Sequence, residues 1–167
     1  MSSDPGSHGI TVGVGGFLVR EEALLVVRKT YGPWRGLWAI PSGYVEPHES
    51  VVETIERELV EETGIRGRAE SLVAVRHMVG PEANDTFLVF TMEYVSGEPR
   101  PDRVEVSDVA FVSLRELVTA DDAAPFTKAI LVAARTGGGL RLDAYRPPDG
   151  RLDARSYLLY SAPGKVH

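Results

Sequence analysis

The sequence predicts an α/β fold with a mixed sheet between helices, and three observations carry that reading. Runs of β-branched and aliphatic residues at 10–20, 23–29, 72–79, 86–95 and 109–112 have the length and composition of strands. Helical patterns at about 50–63 and 125–135 fall among and after these runs, the alternation that builds layered α/β domains. The chain has 167 residues, 43% hydrophobic and 25% charged, enough for one domain to bury its own core and far from the profile of a disordered chain. No internal repeat is present.

Residues 1–9 are small, polar and rich in Gly and Pro, and are read as a disordered N-terminal tail before a domain at 10–136. The runs 10–20 and 23–29 are split by Arg20-Glu21-Glu22 and predict a hairpin. Gly32-Pro33 and Pro41-Ser42-Gly43 bracket a short segment, 37–40, that leads into the first helix. That helix carries its own signals: Ser50 and Glu53 form a capping box, and Gly64 can take the left-handed turn that ends it before apolar Ile65. Strands at 72–79 and 86–95 flank a loop at 80–85. After the strand at 109–112, Ser113 is expected to cap a short helix to about Val118, and the helix at 125–135 stops at Gly137-Gly-Gly139. Residues 137–167 read as an extension packed on the domain or on a partner subunit, its runs 140–146 and 156–161 forming either a hairpin or an arm.

Several function classes fall away on composition. No stretch approaches the roughly 18–20 apolar residues of a membrane span, and the N-terminus has neither the basic start nor the apolar centre of a signal peptide. The absence of cysteine excludes disulfides, thiolate zinc sites and cysteine nucleophiles, and leaves cytoplasm as the default expectation. A net charge of −6 argues against a nucleic-acid surface, which needs clustered Lys and Arg. It is compatible with a small phosphorylated substrate held through a cation.

The chemistry concentrates in the first helix. Glu58, Glu61 and Glu62 stand at i, i+3 and i+4 and share one face. At roughly 6 Å and an effective dielectric near 20, each ionised pair repels by about 2–3 kcal/mol, so positive charge is expected there. At about 100° per residue these acids centre roughly 80° from the apolar stripe of Val51, Val52, Ile55 and Leu59, whereas Glu53 and Glu56 lie more nearly across the helix. Glu58 and Glu62 therefore border the core. Carboxylates restrained in that way suit a hard cation, and with only oxygen ligands on offer Mg²⁺, or Mn²⁺ as substitute, fits best. An acidic amphipathic helix without a ligand is the alternative that acidity alone leaves open.

The full pattern is more specific. Gly43, Glu49, Arg57-Glu58, aliphatic Leu59, Glu61-Glu62, Gly64 and aliphatic Ile65 fall at the spacing of the Nudix box with no position missing. The chain resembles the Nudix hydrolase superfamily over this stretch, and more loosely over 12–117. That resemblance implies a Nudix-type α/β/α sandwich with a central mixed sheet. It implies that Glu58, Glu61 and Glu62 bind metal with the backbone carbonyl of Gly43, and that Arg57 and Glu49 hold the loop against the helix. It implies a metal-dependent pyrophosphohydrolase that cleaves a nucleoside diphosphate linkage. Diphosphate hydrolysis puts negative charge on nonbridging oxygens, which cations stabilise, and needs an acceptor for the proton of the attacking water. The acceptor is either a box glutamate, Glu58 or Glu62, or a loop acid, for which Glu105 is the candidate.

Many superfamily members have glycine where this chain has Ser42 and His48. His48 either reaches a phosphate or is a surface loop residue; His77, in a strand, reads as structural. Arg28, Lys29 and Arg35 can meet the phosphates or be solvated edge charges. Trp38, Trp34, Tyr31 and Phe17 can stack on a base or belong to the core. Pro81, sixteen positions after Ile65, matches a spacing common among ADP-ribose-hydrolysing members, and equally suits a turn. The first expectation is hydrolysis of ADP-ribose to AMP and ribose 5-phosphate. The alternatives are a nucleoside triphosphate pyrophosphohydrolase and a non-catalytic nucleotide-sensing domain. A small nucleotide is thus the expected partner, with a homodimer possible by analogy.

Overall fold

The computed structural model describes residues 9–79, 83–135, 139–142 and 160–161. β1 (Gly9–Arg20) and β2 (Ala23–Lys29) form the hairpin, pairing Val19 with Leu24 and Arg20 with Ala23. Its two-residue turn holds Glu21 at φ 50° and Glu22 at φ 63°, the left-handed pair that matches the twist of the flanking strands. β1 starts at Gly9, inside the stretch read as a tail. The rest of that stretch, like Pro81 and its turn, lies outside the described residues.

Two short strands follow, β3 (Trp38–Ala39) and β4 (Ser42–Tyr44). The second has no counterpart in the sequence reading. Three residues are too few to show a period, and what makes them a strand is pairing with β1 at Gly15↔Ser42, Val14↔Gly43 and Gly13↔Tyr44. Helix α1 (Val51–Thr63) comes next.

β5 (Arg66–Val79) begins six residues before the expected run, and β6 (Ala83–Ser96) three before. The first six residues of β5 are polar or small and alternate between exposed and half-buried, so no apolar run marks them; the ladder to β6, from Arg66↔Ser96 onward with three irregularities, holds them in place. β7 (Val106–Ser113) leads into α2 (Leu114–Thr119) and α3 (Pro125–Arg135). Ser113 stands at the N-cap of α2 but its side chain makes no capping bond; the Leu114 N–H donates instead to the Glu22 carbonyl at 3.0 Å, fastening α2 to the hairpin turn. The run 140–146 contributes β8 (Leu140–Leu142), and β9 (Tyr160–Ser161) pairs with it antiparallel, while β8 pairs with β5.

The strands order as β3-β2-β1-β6-β5-β8-β9, with β4 also on β1 and β7 also on β2. β1 and β6 run parallel and the other pairs antiparallel, which makes the sheet mixed. Alternation along β2 divides the core: Leu25 and Val27 pack with Ile55 and Leu59 of α1, whereas Leu24 and Val26 pack with Leu117 of α2 and Ile130 and Leu131 of α3. The sheet is therefore covered on both faces, as an α/β/α sandwich requires. No helix among the described residues is long and apolar enough to cross a membrane.

Candidate active site

Helix α1 is fixed at both ends by its own residues. The Glu53 N–H donates to Ser50 Oγ at 3.2 Å and the Ser50 N–H to Glu53 Oε2 at 2.9 Å. At the other end Gly64, at φ 73°, turns its N–H back to the Val60 carbonyl at 2.9 Å. With Ile55 and Leu59 wholly buried, the helix rotation is set, and Glu62 comes down on the core side, 2% exposed. The Glu58 side chain is 13% exposed and that of Glu61 58%.

Positive charge meets this acidic face from two directions. Arg57 grips Glu49 with two parallel bonds, Nε to Oε1 at 2.7 Å and Nη2 to Oε2 at 2.9 Å, and so ties the loop before α1 to the helix. Its Nη1 donates to Glu58 Oε1 at 2.9 Å and Glu61 Oε2 at 3.1 Å. Thr54 Oγ1 also donates to Glu49, at 3.0 Å. Glu62 takes the Ser42 N–H on Oε2 at 3.0 Å, and Lys29 Nζ lies 2.9 Å from its Oε1 while donating to the Ser42 carbonyl at 2.7 Å. Both contacts of Ser42 use its main chain, so its side chain in place of a glycine leaves them intact. The ion pair with this amine is the one contact of Oε1, which is otherwise buried without a polar partner among the described residues.

The protonation equilibria follow from this geometry. Burial pushes the Glu62 carboxyl up to about 6 against the pull of Lys29, and burial also raises Glu58 against Arg57. The Arg57 fork holds Glu49 down at about 2. Burial pulls the Lys29 amine down, but the charge and contact of Glu62 outweigh it and the net shift is upward. The two partners differ because burial dominates at the carboxylate, whereas the amine is 16% exposed and keeps its bond to Ser42.

Among the described residues no three acidic or imidazole groups converge as a closed metal cluster, since Glu58 and Glu61 turn to Arg57 and Glu62 to Lys29. The donor set nevertheless fits a hard divalent cation: three carboxylates on one face, one of them with a buried oxygen met only by the Lys29 amine, beside a close-packed glycine. A Cβ on Gly43 would fall 2.0 Å from Glu58 Oε1 and 2.1 Å from its Cδ, so only glycine lets the carboxylate lie against the backbone of β4.

Beside this cluster a cleft of about 170 Å³ is lined by Lys29 and Ser42, by Tyr31 and Trp34 of the following loop, and by Arg76, Phe87 and Phe126. Glu105 stands next to it, its Oε2 accepting from Tyr31 Oη at 3.4 Å and its carbonyl from the Thr30 N–H at 2.9 Å. Arg28, Arg35 and Trp38 do not line the cleft. Arg28 lies over the Trp38 ring at 4.1 Å and donates to Asp122 and the Gly36 carbonyl, each at 2.5 Å, which locks β2, β3 and the segment before α3 together. Arg35 is exposed, and Phe17 belongs to the core. His77 contacts Thr86 across β5 and β6 at 3.0 Å, and His48 is exposed. Arg76 and Phe126 escaped the sequence reading, since a lone arginine in a strand and a phenylalanine in a helix carry no local signal.

Comparisons with known proteins agree with this architecture. The profile of the NUDIX domain matches residues 9–133. Nudix hydrolase 8 of Arabidopsis thaliana is 31% identical over 119 residues, 68% of this chain and 32% of that protein. The ADP-ribose pyrophosphatase of Methanocaldococcus jannaschii is 32% identical over 89 residues, 52% of this chain and 53% of its own length. The chain thus spans about a third to about half the length of these curated relatives. In fold it is similar to a NUDIX hydrolase from Nitrosomonas europaea, with a TM-score of 0.67 at 24% identity over 84% of this chain and 98% of that one. With the domain profile covering well over half of its residues and the acidic helix in place against the sheet, this chain belongs to the Nudix family.

Proposed function

We propose that this protein is a Mg²⁺-dependent pyrophosphohydrolase that cleaves the diphosphate linkage of a nucleoside diphosphate derivative, with ADP-ribose, yielding AMP and ribose 5-phosphate, as the first substrate to test. The observation that carries the reading is Glu62, buried at the edge of the core beside Glu58 and Gly43, where the cleft begins. The choice of ADP-ribose leans on the M. jannaschii relative, whose name specifies that activity.

Glu58, Glu61, Glu62 and the Gly43 carbonyl would hold the cation, which when bound supplies positive charge to the nonbridging phosphate oxygens. Arg57 and Glu49 are positioning residues: their paired bonds keep the loop and helix in register, so that Glu58 meets Gly43. Lys29, at the start of the cleft, adds a cation for the phosphates. The proton of the attacking water goes either to a box glutamate, Glu58 or Glu62, or to Glu105 beside Tyr31.

The test is phosphate release, with and without Mg²⁺, from ADP-ribose, other nucleoside diphosphate derivatives and nucleoside triphosphates, with products identified. AMP and ribose 5-phosphate from ADP-ribose alone is the expected result. Nucleoside monophosphate with pyrophosphate would reassign the protein to triphosphate hydrolysis, and bound nucleotide without turnover of any substrate would make it a sensor.

A further inference from the structure

The far end of the cleft is built around Arg76. Sheet register puts it in one row with Phe87 and Gly13, through the pairs Phe87↔Arg76 and Gly13↔Phe87, while Ser42 on β4 pairs with Gly15. Ser42 and Arg76 are thus separated by β1 and β6, three strand steps or about 14 Å at roughly 4.8 Å each. A diphosphate seated near Lys29 and Ser42 does not reach Arg76; what is attached to it does.

What surrounds Arg76 specifies that group. Its Nη2 is paired with Asp85, which is buried and also accepts from Thr11 Oγ1 at 2.7 Å. The guanidinium lies over the rings of Phe87 at 5.1 Å and Phe126 at 5.4 Å, and its Nε is buried without a polar partner. The two rings meet edge to face at 5.5 Å. The Phe87 ring, carried on β6, packs over β1 where glycines make room, since a Cβ at Gly13 or Gly15 would come within 2.7 or 2.9 Å of it. Arg76 is therefore a fixed donor whose charge Asp85 already balances. A second phosphate needs net positive charge; a flat, uncharged group with an acceptor edge needs aromatic walls and a directed donor.

We infer that Arg76, walled by Phe87 and Phe126, is the specificity-determining residue that receives the nucleobase, donating to a ring nitrogen or keto oxygen on its edge. This rests on reading the cleft as the nucleotide site but not on hydrolysis. The test is equilibrium binding, by calorimetry, of the four nucleoside monophosphates and of ribose 5-phosphate to the full chain and to Arg76→Met and Arg76→Lys, with melting curves for each protein. The wild type is expected to bind at least one nucleoside monophosphate tenfold or more tighter than ribose 5-phosphate. Arg76→Met should lose about tenfold for that nucleotide and less than twofold for ribose 5-phosphate. Should Arg76→Met fail to fold, Arg76→Lys, which keeps a cation for Asp85 but not the planar fork, should show the same selective loss. Equal binding of ribose 5-phosphate and all nucleotides by the wild type, or undiminished nucleotide affinity in the folded variants, overturns the assignment. Hydrolysis failing while the base preference stands would instead overturn only the proposed activity.

Discussion

Lys29 Nζ lies 2.9 Å from Glu62 Oε1, so an amine from β2 already supplies positive charge to the most buried glutamate of the helix. A divalent cation at Glu62 has to share that carboxylate with the amine. Lys29→Met leaves the buried charge unpaired, at a cost of about 3 kcal/mol. The melting temperature of the metal-free variant at pH 8 should fall on the order of 5–10 °C. Its rise on adding millimolar Mg²⁺ or Mn²⁺ should exceed that of the wild type, because the competitor is gone. Equal metal-induced shifts in the two proteins would show that amine and metal do not share Glu62.

Glu62→Gln keeps the shape of the side chain and removes its charge. The folded carboxyl, raised to about 6 by burial, binds its proton more tightly than the unfolded one at its ordinary 4.5. Its contribution to stability is therefore best below 4.5 and is lost as pH rises through 6, about 2 kcal/mol in all. Relative to wild type, the metal-free variant should therefore gain about 1–2 kcal/mol between pH 4.5 and pH 8, on top of a loss at both pH values from leaving the Lys29 amine without its carboxylate partner. With Mg²⁺ its turnover should drop about 100-fold or more. Turnover within tenfold of wild type would remove Glu62 from the metal set.

Gly43→Ala tests whether close approach is what the glycine provides. The added Cβ overlaps the Glu58 carboxylate at 2.0 Å, and the flexible end of Glu58 can swing away while the strand stays paired with β1. Far-ultraviolet circular dichroism should match wild type, and Mg²⁺-dependent kcat should fall about 100-fold as the carboxylate leaves its place. An unchanged kcat would mean that the position of Glu58 against β4 is irrelevant to the chemistry.

The parts of this molecule that the sequence revealed are those whose physics is local. The caps of α1 at Ser50, Glu53 and Gly64 and the angular offset of Glu58 and Glu62 depend on residues within one or two turns. β4 was invisible because Ser42–Tyr44 becomes a strand only through β1. Arg28 and Trp38 looked available for ligand because nothing near them suggested otherwise; the partner that occupies Arg28, Asp122, lies 94 positions away. Arg76 faces Phe126 only after the sheet sets its register and α3 packs across it.

The Glu49–Arg57 tie predicts acid sensitivity. Arg57 lowers the folded carboxyl to about 2 from an unfolded value of 4.5, so its stabilisation is full above 4.5 and is lost as pH falls toward 2. Glu49→Gln should melt below wild type at pH 7, with the gap narrowing progressively under pH 4.5. A gap that stays constant from pH 7 to pH 3 would assign the loss to packing instead of charge.

His48 is held at φ 73°, in the left-handed region that a non-glycine side chain resists, and it is exposed. Its neighbour Glu49 is fixed by Arg57 and Thr54, so the loop imposes this conformation whatever residue occupies position 48. Glycine removes the steric cost but has more unfolded-state freedom to lose, and the balance favours His48→Gly by about 0.5–1 kcal/mol, or roughly 1–4 °C in melting temperature. KM for the best substrate should not change, because relief of strain leaves the Glu49–Arg57 geometry as it was. A KM that rises several-fold with the melting temperature would mean that the imidazole binds substrate and that the strain at φ 73° is the cost of placing it.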